Sequence, residues 1–192
     1  MRGFTLVELL VVMGIFVVIT GLILADNNRF GGAILLENLA YDVALSVRQA
    51  QVYGISVRQF EDVQTDRFQV SYGVYFTVGS SYSLFGDKNG NGLWDGGEDV
   101  SPSPYDIGRG FGISKLCAPK GADEGCIDTR ARLDIVFKRP EPDACISANG
   151  ATSFNTSGVC ISTTESARIV LTSPRGDTRS VIVEKSGQIA VE

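Results

Sequence analysis

The chain has 192 residues, of which 44% are hydrophobic and 20% charged, and its net charge at pH 7 is −5. This length is typical of one globular domain with an appendage. The net negative charge argues against a strongly basic surface that binds nucleic acid. The absence of histidine excludes His-dependent catalytic triads and His-ligated zinc. The sequence also lacks a Gly-rich phosphate loop, a nucleophile elbow and a Cys-x-x-Cys pair, so nothing in it indicates an enzyme.

The first predicted element is an apolar segment that is long enough to cross a membrane. Residues 4–25 contain one charge, Glu8, and at about 1.5 Å per residue a helix of this length is about 33 Å long. An ionisable group inside such a span is costly and indicates a function. A secretory signal peptide and a plain anchor are the simpler interpretations. A signal peptide would need a small-residue cleavage site, which does not follow this segment, and a plain anchor gives Glu8 no role.

The N-terminus reads Gly3-Phe4-Thr5-Leu6-Val7-Glu8-Leu9-Leu10. This run resembles the processing site of type IV pilins and type II secretion pseudopilins. The resemblance implies that a prepilin peptidase in the inner membrane cuts after Gly3, leaving residues 1–3 as a short leader, and methylates the new N-terminus at Phe4. It also implies that Glu8 compensates the amine of Phe4 on a neighbouring pilin or pseudopilin subunit when the helices pack into a filament.

Helical periodicity continues beyond the apolar segment. Residues 26–32 form a polar, Gly-containing break where the helix can kink or unwind. An amphipathic second half is then expected over residues 26–54, with Gly54 as its C-terminal stop. Its apolar stripe, which we expect to pack on a globular head, consists of Leu36, Leu39, Ala40, Val43, Val47 and Ala50.

From residue 55 to residue 192 the sequence indicates a β-rich head. Alternating, β-branched or aromatic runs separated by polar turns predict strands, and residues 86–130 and 145–160 are predicted as loops. The last three strands form a meander because their connections, 173–177 and 185–187, have turn chemistry. The predicted strands are 55–60, 68–72, 73–78, 81–85, 132–137, 167–171, 180–183 and 188–191.

The end of the head carries a second resemblance. A strand ending in Phe137 before a proline, followed by two strands joined by a short turn that ends in Gly187, is similar to the head of the H-type minor pseudopilins and FimT-like pilins (the GspH/FimT group). Together the two resemblances imply an α+β pilin-like fold, in which a long N-terminal transmembrane and amphipathic helix packs on an antiparallel β-sheet head.

These resemblances imply a non-enzymatic structural subunit of a type IV pilus or a type II secretion pseudopilus, either major or minor. The subunit would cross the inner membrane once, with its head outside the cytoplasm, before it enters the filament. One alternative is a calcium-binding surface or adhesion module on a plain anchor. Another is a FimT-like DNA-uptake pilin that contacts phosphates through Arg168, Arg175 and Arg179, although the acidic balance disfavours DNA as a partner.

Residues 87–98 match the calcium-loop pattern D-x-[DN]-x-[DN]-G-x5-E at every fixed position. Gly92 at the sixth position allows a sharp bend, and non-helical flanks indicate an EF-hand-like loop in a β-domain. The alternative is a Gly- and Asn-rich turn without an ion. Convergence of three carboxylates favours a structural calcium ion, with these expected ligands: Asp87, Asn89, Asn91, the main-chain carbonyl of Leu93, Asp95 and Glu98.

The sequence contains four cysteines, Cys117, Cys126, Cys145 and Cys160. Their even number, downstream of a membrane segment, favours disulfides in an extracytoplasmic location. Sequence proximity favours the pairs Cys117–Cys126 and Cys145–Cys160. The alternatives are four reduced thiols and metal ligation, and the cysteine spacings match no zinc pattern.

Overall fold

The computed structural model describes residues 3–56, 60, 69–118, 126–127 and 132–192, with only the backbone of residues 25–30 and 127. The chain divides into two compact units, Met1–Leu35 and Leu36–Glu192. Helix α1 runs from Leu6 to Ile55 and contributes residues to both. Its segment Leu6–Leu24 is apolar and long enough to cross a membrane, with 19 residues, a mean hydropathy of 2.7 and no buried residue.

Helix α1 is continuous through residues 26–32, so the predicted local unwinding there is wrong. Asp, Asn and Gly each lower helix propensity by no more than about 1 kcal/mol relative to Ala. Extending an existing helix, by contrast, gains one hydrogen bond for each residue that is fixed. The helical segments on both sides therefore carry the helix through this stretch.

The end of α1 shows a different role for Gly54 from the one predicted. The helix ends at Ile55, and Gly54 does not have the positive φ of a capping glycine. A Cβ atom at Gly54 would lie only 2.4 Å from the carbonyl oxygen of Phe137. Glycine is needed here because the last turn of the helix approaches the backbone of a strand closely.

The unit Leu36–Glu192, which we call the head, contains two antiparallel sheets among the described residues. The strands are β1 (Ser71–Thr77), β2 (Ser81–Asp87), β3 (Tyr105–Asp106), β4 (Gly112–Cys117), β5 (Cys126–Ile127), β6 (Arg132–Phe137), β7 (Ala144–Ala148), β8 (Ser166–Thr172), β9 (Thr178–Glu184) and β10 (Ile189–Val191). The first sheet has the order β3-β2-β1-β6-β7 and the second the order β10-β9-β8-β4-β5. The C-terminal meander is confirmed as β8, β9 and β10.

Several strand predictions need correction. Ile55 ends α1 and Phe60 lies outside any strand, so the predicted strand 55–60 is wrong where it is described, and residues 57–59 lie outside the described residues. The strand predicted at 68–72 is described only from residue 69, and β1 begins at Ser71. Residues after the helix take their conformation from what they pack against, which alternation alone does not specify.

The stretches that were predicted as loops contain strands. The short strands β3 and β5 and the longer strand β4 lie within them, and β7 overlaps the second one from residue 145 onward. These four strands sit at or next to sheet edges. Strands β3 and β5 are only two residues long, and β4 and β7 contain Gly, Ser or Ala, whose strand preference is weak. Pairing with a stronger neighbour therefore determines their conformation.

The main hydrophobic core lies between the head segment of α1 and the inner faces of both sheets. Leu133, Ile135 and Phe137 alternate along β6 and are completely buried in it. Burial of each such side chain stabilises the fold by about 1.5–3 kcal/mol. The predicted apolar stripe of α1 is confirmed, since Leu36, Ala40, Val43, Val47 and Ala50 are buried and Leu39 is partly buried beside them.

The first sheet is also covered on its outer face. Val136 of β6 and Cys145 of β7, which pair in register, form a smaller apolar cluster with Phe85 and Phe154. Loops supply this second cover, because Phe154 lies outside the strands. A sheet with two buried faces explains why β1 and β6 are rich in apolar residues at consecutive positions.

Gly54→Ala should destabilise the head, because the added methyl group meets backbone atoms of Phe137 that cannot move aside without disturbing β6. We expect the free energy of unfolding to fall by about 1–3 kcal/mol, although Ala favours helix over Gly by about 1 kcal/mol. Urea unfolding monitored by circular dichroism measures the change. Gly108→Ala is the control, since no atom lies within 4 Å of a Cβ there. Equal stability of both variants would contradict the prediction.

Candidate functional site

The N-terminal segment starts its helix with a side-chain cap. The N–H of Glu8 donates to Oγ1 of Thr5 at 3.3 Å, which places Thr5 at the N-cap and Glu8 at the third helical position. Thr and Glu at these positions are the capping-box combination, and an acidic group in the first turn interacts favourably with the helix dipole. Glu8 therefore suits a capping position of its own helix. This role was not predicted from the sequence, although the Thr5-x-x-Glu8 pattern signals it.

The residues that precede this cap are the predicted processing residues. Gly3 and Phe4 lie before the first turn of α1, and the Phe4 side chain is 78% exposed. The apolar side chains that follow, up to Leu24, are not buried by any described part of the chain. An apolar surface of this size requires lipid or other apolar helices around it.

The candidate calcium loop, residues 87–98, is closed at both ends by backbone pairing. The N–H of Gly86 donates to the carbonyl of Glu98, and the N–H of Val100 donates to the carbonyl of Leu84, both at 2.9 Å. The end of β2, which enters the loop, therefore pairs with the segment that leaves it. This pairing fixes where the loop leaves the first sheet and where it returns.

Asp87 organises the first half of the loop. Its Oδ1 accepts the N–H groups of Gly90 at 2.8 Å and Asn91 at 3.1 Å, and its Oδ2 accepts the N–H of Gly92 at 2.9 Å. Gly92 has a φ of 75°, the left-handed conformation that a sharp bend at the sixth position requires. The backbone of the loop thus wraps around the carboxylate at its first position.

Glu98 holds the second half of the loop. Its Oε1 accepts the N–H of Lys88 and its Oε2 the N–H of Asp95, both at 2.9 Å. Glu98 is only 4% exposed and Asp87 only 2% exposed. The first and last positions of the calcium pattern are therefore buried carboxylates that the loop backbone fixes in place.

The side chains at the third, fifth and ninth loop positions meet at one point. Nδ2 of Asn89 and Nδ2 of Asn91 donate to Oδ2 of Asp95 at 2.8 and 2.9 Å. The expected convergence of three carboxylates is not present, because no three His, Cys, Asp or Glu side chains of the described residues are grouped to hold a metal. The Asp95 carboxylate instead accepts hydrogen bonds from the two side-chain amides.

The residues of the loop fit a calcium ion in chemistry and in electrostatics. The expected ligands are all oxygen donors, which Ca²⁺ prefers. Burial, with a further contribution from repulsion by Glu98, raises the pKa of Asp87 to about 6. Burial also raises the pKa of Glu98. A divalent cation among these groups would favour their charged forms and so offset the cost of burying them.

A buried carboxylate outside the loop, Asp134, ties the loop to the first sheet. Asp134 is completely buried, forms a salt bridge with Arg132 at 2.6 Å and accepts the N–H of Trp94 at 2.9 Å. Arg132 donates in turn to the carbonyl of Trp94 at 2.8 Å. The Trp94 ring stacks on Tyr75 with 4.6 Å between ring centroids. The loop therefore rests on the outer face of the sheet through both its backbone and its tryptophan.

This anchor was not predicted from the sequence. Its signal is Arg132-x-Asp134, since residues two apart in a strand share one face. Tyr75 pairs in register with Asp134 across β1 and β6, so the aromatic platform also lies on that face. Opposite charges at this spacing in an apolar strand could have indicated a buried pair.

Both predicted disulfides are present. Cys117–Cys126 joins β4 to β5, and Cys145–Cys160 joins β7 to the loop that follows it. All four cysteines, each of which lies in the described part of the chain, are thus oxidised. The three arginines proposed to contact phosphate stay a prediction, and Arg168 already pairs with Glu192 at 3.4 Å.

Comparisons with known proteins agree with these features. The family described as the prokaryotic N-terminal methylation motif matches residues 1–24. The pilin-like protein PilA1 of Thermus thermophilus is 30% identical over 194 residues, an alignment that covers 100% of this chain and 98% of that protein. No solved structure matches the chain.

A methylation motif, an unburied apolar helix and a β-rich head together define a subunit of the pilin class. The similarity extends over the full length of a pilin-like protein, so the chain belongs to the type IV pilin family. Its general role is that of a structural subunit. Neither comparison distinguishes the GspH/FimT group, which stays a prediction.

Asp134→Ala should lower the free energy of unfolding of the head by about 3 kcal/mol, because it leaves the Arg132 guanidinium and the Trp94 N–H without their acceptor. Urea unfolding monitored through Trp94 fluorescence measures the loss. The exposed Asp106 provides the control, and Asp106→Asn should change stability by less than about 0.5 kcal/mol. A change at Asp134 as small as that of the control would show that the anchor contributes little.

Proposed function

We propose that this pilin is cleaved after Gly3 by a prepilin peptidase, is methylated at Phe4, and is assembled through the first half of α1 into a type IV pilus. Before assembly the Leu6–Leu24 segment crosses the inner membrane, with the head outside the cytoplasm. The observation that carries this proposal is the match of the methylation motif to residues 1–24 together with an apolar helix that no described part of the chain buries. The full-length likeness to a pilin-like protein supports a pilus rather than a secretion pseudopilus.

The charge at Glu8 acts between subunits in this proposal. Cleavage after Gly3 creates an amine at Phe4, one residue before the Thr5 cap. The positive end of the helix dipole lies there too, so the amine is destabilised in an apolar environment. A Glu8 carboxylate from the next subunit compensates the charge of the amine and the positive end of the helix dipole. This pairing favours one axial offset between neighbouring helices.

Two substitutions separate this role of Glu8 from its capping role. Glu8→Gln retains a capping-box residue but removes the charge, whereas Glu8→Ala removes both. Pairing between subunits predicts that both variants accumulate in the membrane and are depleted at least about tenfold from sheared filaments, because the unpaired amine disfavours assembly. Immunoblots of the sheared and membrane fractions measure the ratio.

Glu37→Gln is the matched control, because Glu37 is an exposed acid of α1 within the head. This variant should enter filaments like the unmodified chain. Normal incorporation of Glu8→Gln would assign Glu8 to helix capping alone. Mass spectrometry of the mature subunit tests processing separately, and retention of residues 1–3 would contradict the proposed cleavage.

The loop 87–98 is proposed to bind one structural calcium ion once the head is outside the cytoplasm. The buried carboxylates of Asp87 and Glu98 and the converging side chains of Asn89, Asn91 and Asp95 support this. The ion supplies positive charge, and the loop supplies oxygen donors that its backbone positions. Extracellular calcium modules of this kind bind with dissociation constants of about 10⁻⁴–10⁻³ M.

Terbium luminescence of the full chain in detergent micelles tests the calcium proposal. Trp94, the sole tryptophan of the chain, lies in the loop and can sensitise Tb³⁺ bound there. We expect a saturable signal that calcium displaces and that Asp87→Ala abolishes. Asp106→Asn, which removes one exposed charge outside the loop, should leave the signal unchanged. Absence of a displaceable signal from the unmodified chain would exclude calcium at this loop.

A further inference from the structure

The candidate calcium loop lies directly against the segment that the Cys145–Cys160 bond encloses, which we call the disulfide loop (residues 145–160). The N–H of Ser153 donates to the carbonyl of Asn91 at 3.3 Å. A Cβ atom at Gly92 would lie 2.7 Å from both Cβ of Ser153 and the ring of Phe154. The two loops therefore touch at the fifth and sixth positions of the calcium pattern.

These positions determine how the calcium loop holds its ligand groups. Asn91 is an expected ligand, and its Nδ2 contacts Asp95. The N–H of Gly92 holds Oδ2 of Asp87 at 2.9 Å. Displacement of the backbone at Asn91 and Gly92 would therefore disturb ligand groups at the first, fifth and ninth positions together.

The disulfide holds the contacting residues of the disulfide loop in place. Ser153 and Phe154 belong to a hairpin-like segment. The N–H of Ile161 donates to the carbonyl of Ser153 at 2.8 Å, and Phe154 forms an isolated antiparallel β-bridge with Cys160. Cys160 is bonded to Cys145 of β7, whose Sγ lies 3.3 Å from the carbonyl oxygen of Ser153. The covalent bond thus fixes this segment to the first sheet at the point where it supports the calcium loop.

We propose that the disulfide loop is a positioning part of the calcium site, so that opening the Cys145–Cys160 bond weakens calcium binding. This inference rests on the proposed calcium function. The bond limits the conformations that Ser153 and Phe154 adopt without the ion. The entropy lost when the ion binds is therefore smaller, and calcium binds more tightly. Coupling between two sites is reciprocal, so bound calcium also stabilises the Cys145–Cys160 bond against reduction.

The second disulfide is a built-in control. Cys117–Cys126 joins β4 to β5 in the second sheet, where Cys117 pairs with Arg168 of β8. The calcium loop, by contrast, contacts the outer face of the first sheet. Removal of either bond deletes one cross-link from the head. Among the described residues enclosed by the two bonds, those that touch the calcium loop, Ser153 and Phe154, belong to the Cys145–Cys160 segment.

The first experiment compares two double variants of the full chain in detergent micelles, Cys145→Ser with Cys160→Ser, and Cys117→Ser with Cys126→Ser. Displacement of Tb³⁺ luminescence by calcium gives the affinity, and circular dichroism confirms that each head is folded. We expect the first variant to bind calcium between about 5-fold and 150-fold more weakly than the unmodified chain, the range typical of coupled sites. The second variant should stay within about twofold.

A second measurement uses the unmodified chain and does not depend on how the variants fold. Dithiothreitol, a dithiol, reduces a protein disulfide to two thiols and is itself oxidised to a cyclic disulfide. Cys160 is exposed and gives the reductant access to its bond. Alkylation and mass spectrometry should show that calcium raises the dithiothreitol concentration that opens half of Cys145–Cys160 and leaves that for Cys117–Cys126 unchanged.

The outcomes separate the two proposals. Equal calcium affinity of the unmodified chain and the folded Cys145/Cys160 variant, or an unchanged reduction midpoint of Cys145–Cys160, would overturn the coupling while calcium binding stands. Equal losses in both double variants would also overturn it, because the effect would then follow general stability. If the unmodified chain binds no calcium, the calcium proposal and the coupling fall together.

Discussion

The organisation of the head depends on the burial of the first sheet on both of its faces. The inner face packs on α1 and the second sheet, and the outer face is covered by two loops. A loop can cover a sheet only if its backbone polar groups find partners there. Asp134 and Arg132 supply such partners, since they bind the N–H and the carbonyl of Trp94 from within the strand. One buried ion pair therefore makes it possible for a polar loop to lie on an apolar surface.

This arrangement gives the candidate calcium loop, residues 87–98, a different setting from that of a loop flanked by two helices. Its ends are held by pairing with β2, its tryptophan stacks on Tyr75, and its bend rests on Phe154. Because the loop is held at both ends and at its bend, little conformational change would accompany the binding of an ion there. Such a loop suits structural reinforcement rather than switching, because a switch requires two arrangements of similar energy.

Much of this structure could be predicted from the sequence, and the misses have physical causes. The amphipathic segment of α1, the C-terminal meander and both cysteine pairs follow from local spacing. Strands β4 and β7 could not be predicted, because their weak sequences form strands only beside stronger neighbours. The sequence marks Asp134 only as one residue of a strand, since burial of a charge depends on partners distant in sequence. The pattern names the expected ligand residues of the candidate calcium loop, but not the hydrogen bonds that their side chains make with the loop backbone and with one another.

The placement of the two disulfides has a mechanical consequence. Each one joins residues only 9 or 15 positions apart, within or beside one sheet, and neither links the two sheets to each other or to α1. Under tension along a filament, no disulfide would therefore reinforce the packing between the two sheets or between the sheets and α1. If a head unfolds under load, the residues enclosed by each disulfide cannot be extended. The stretched length of the chain is then shorter by about 3.3–3.6 Å for each enclosed residue.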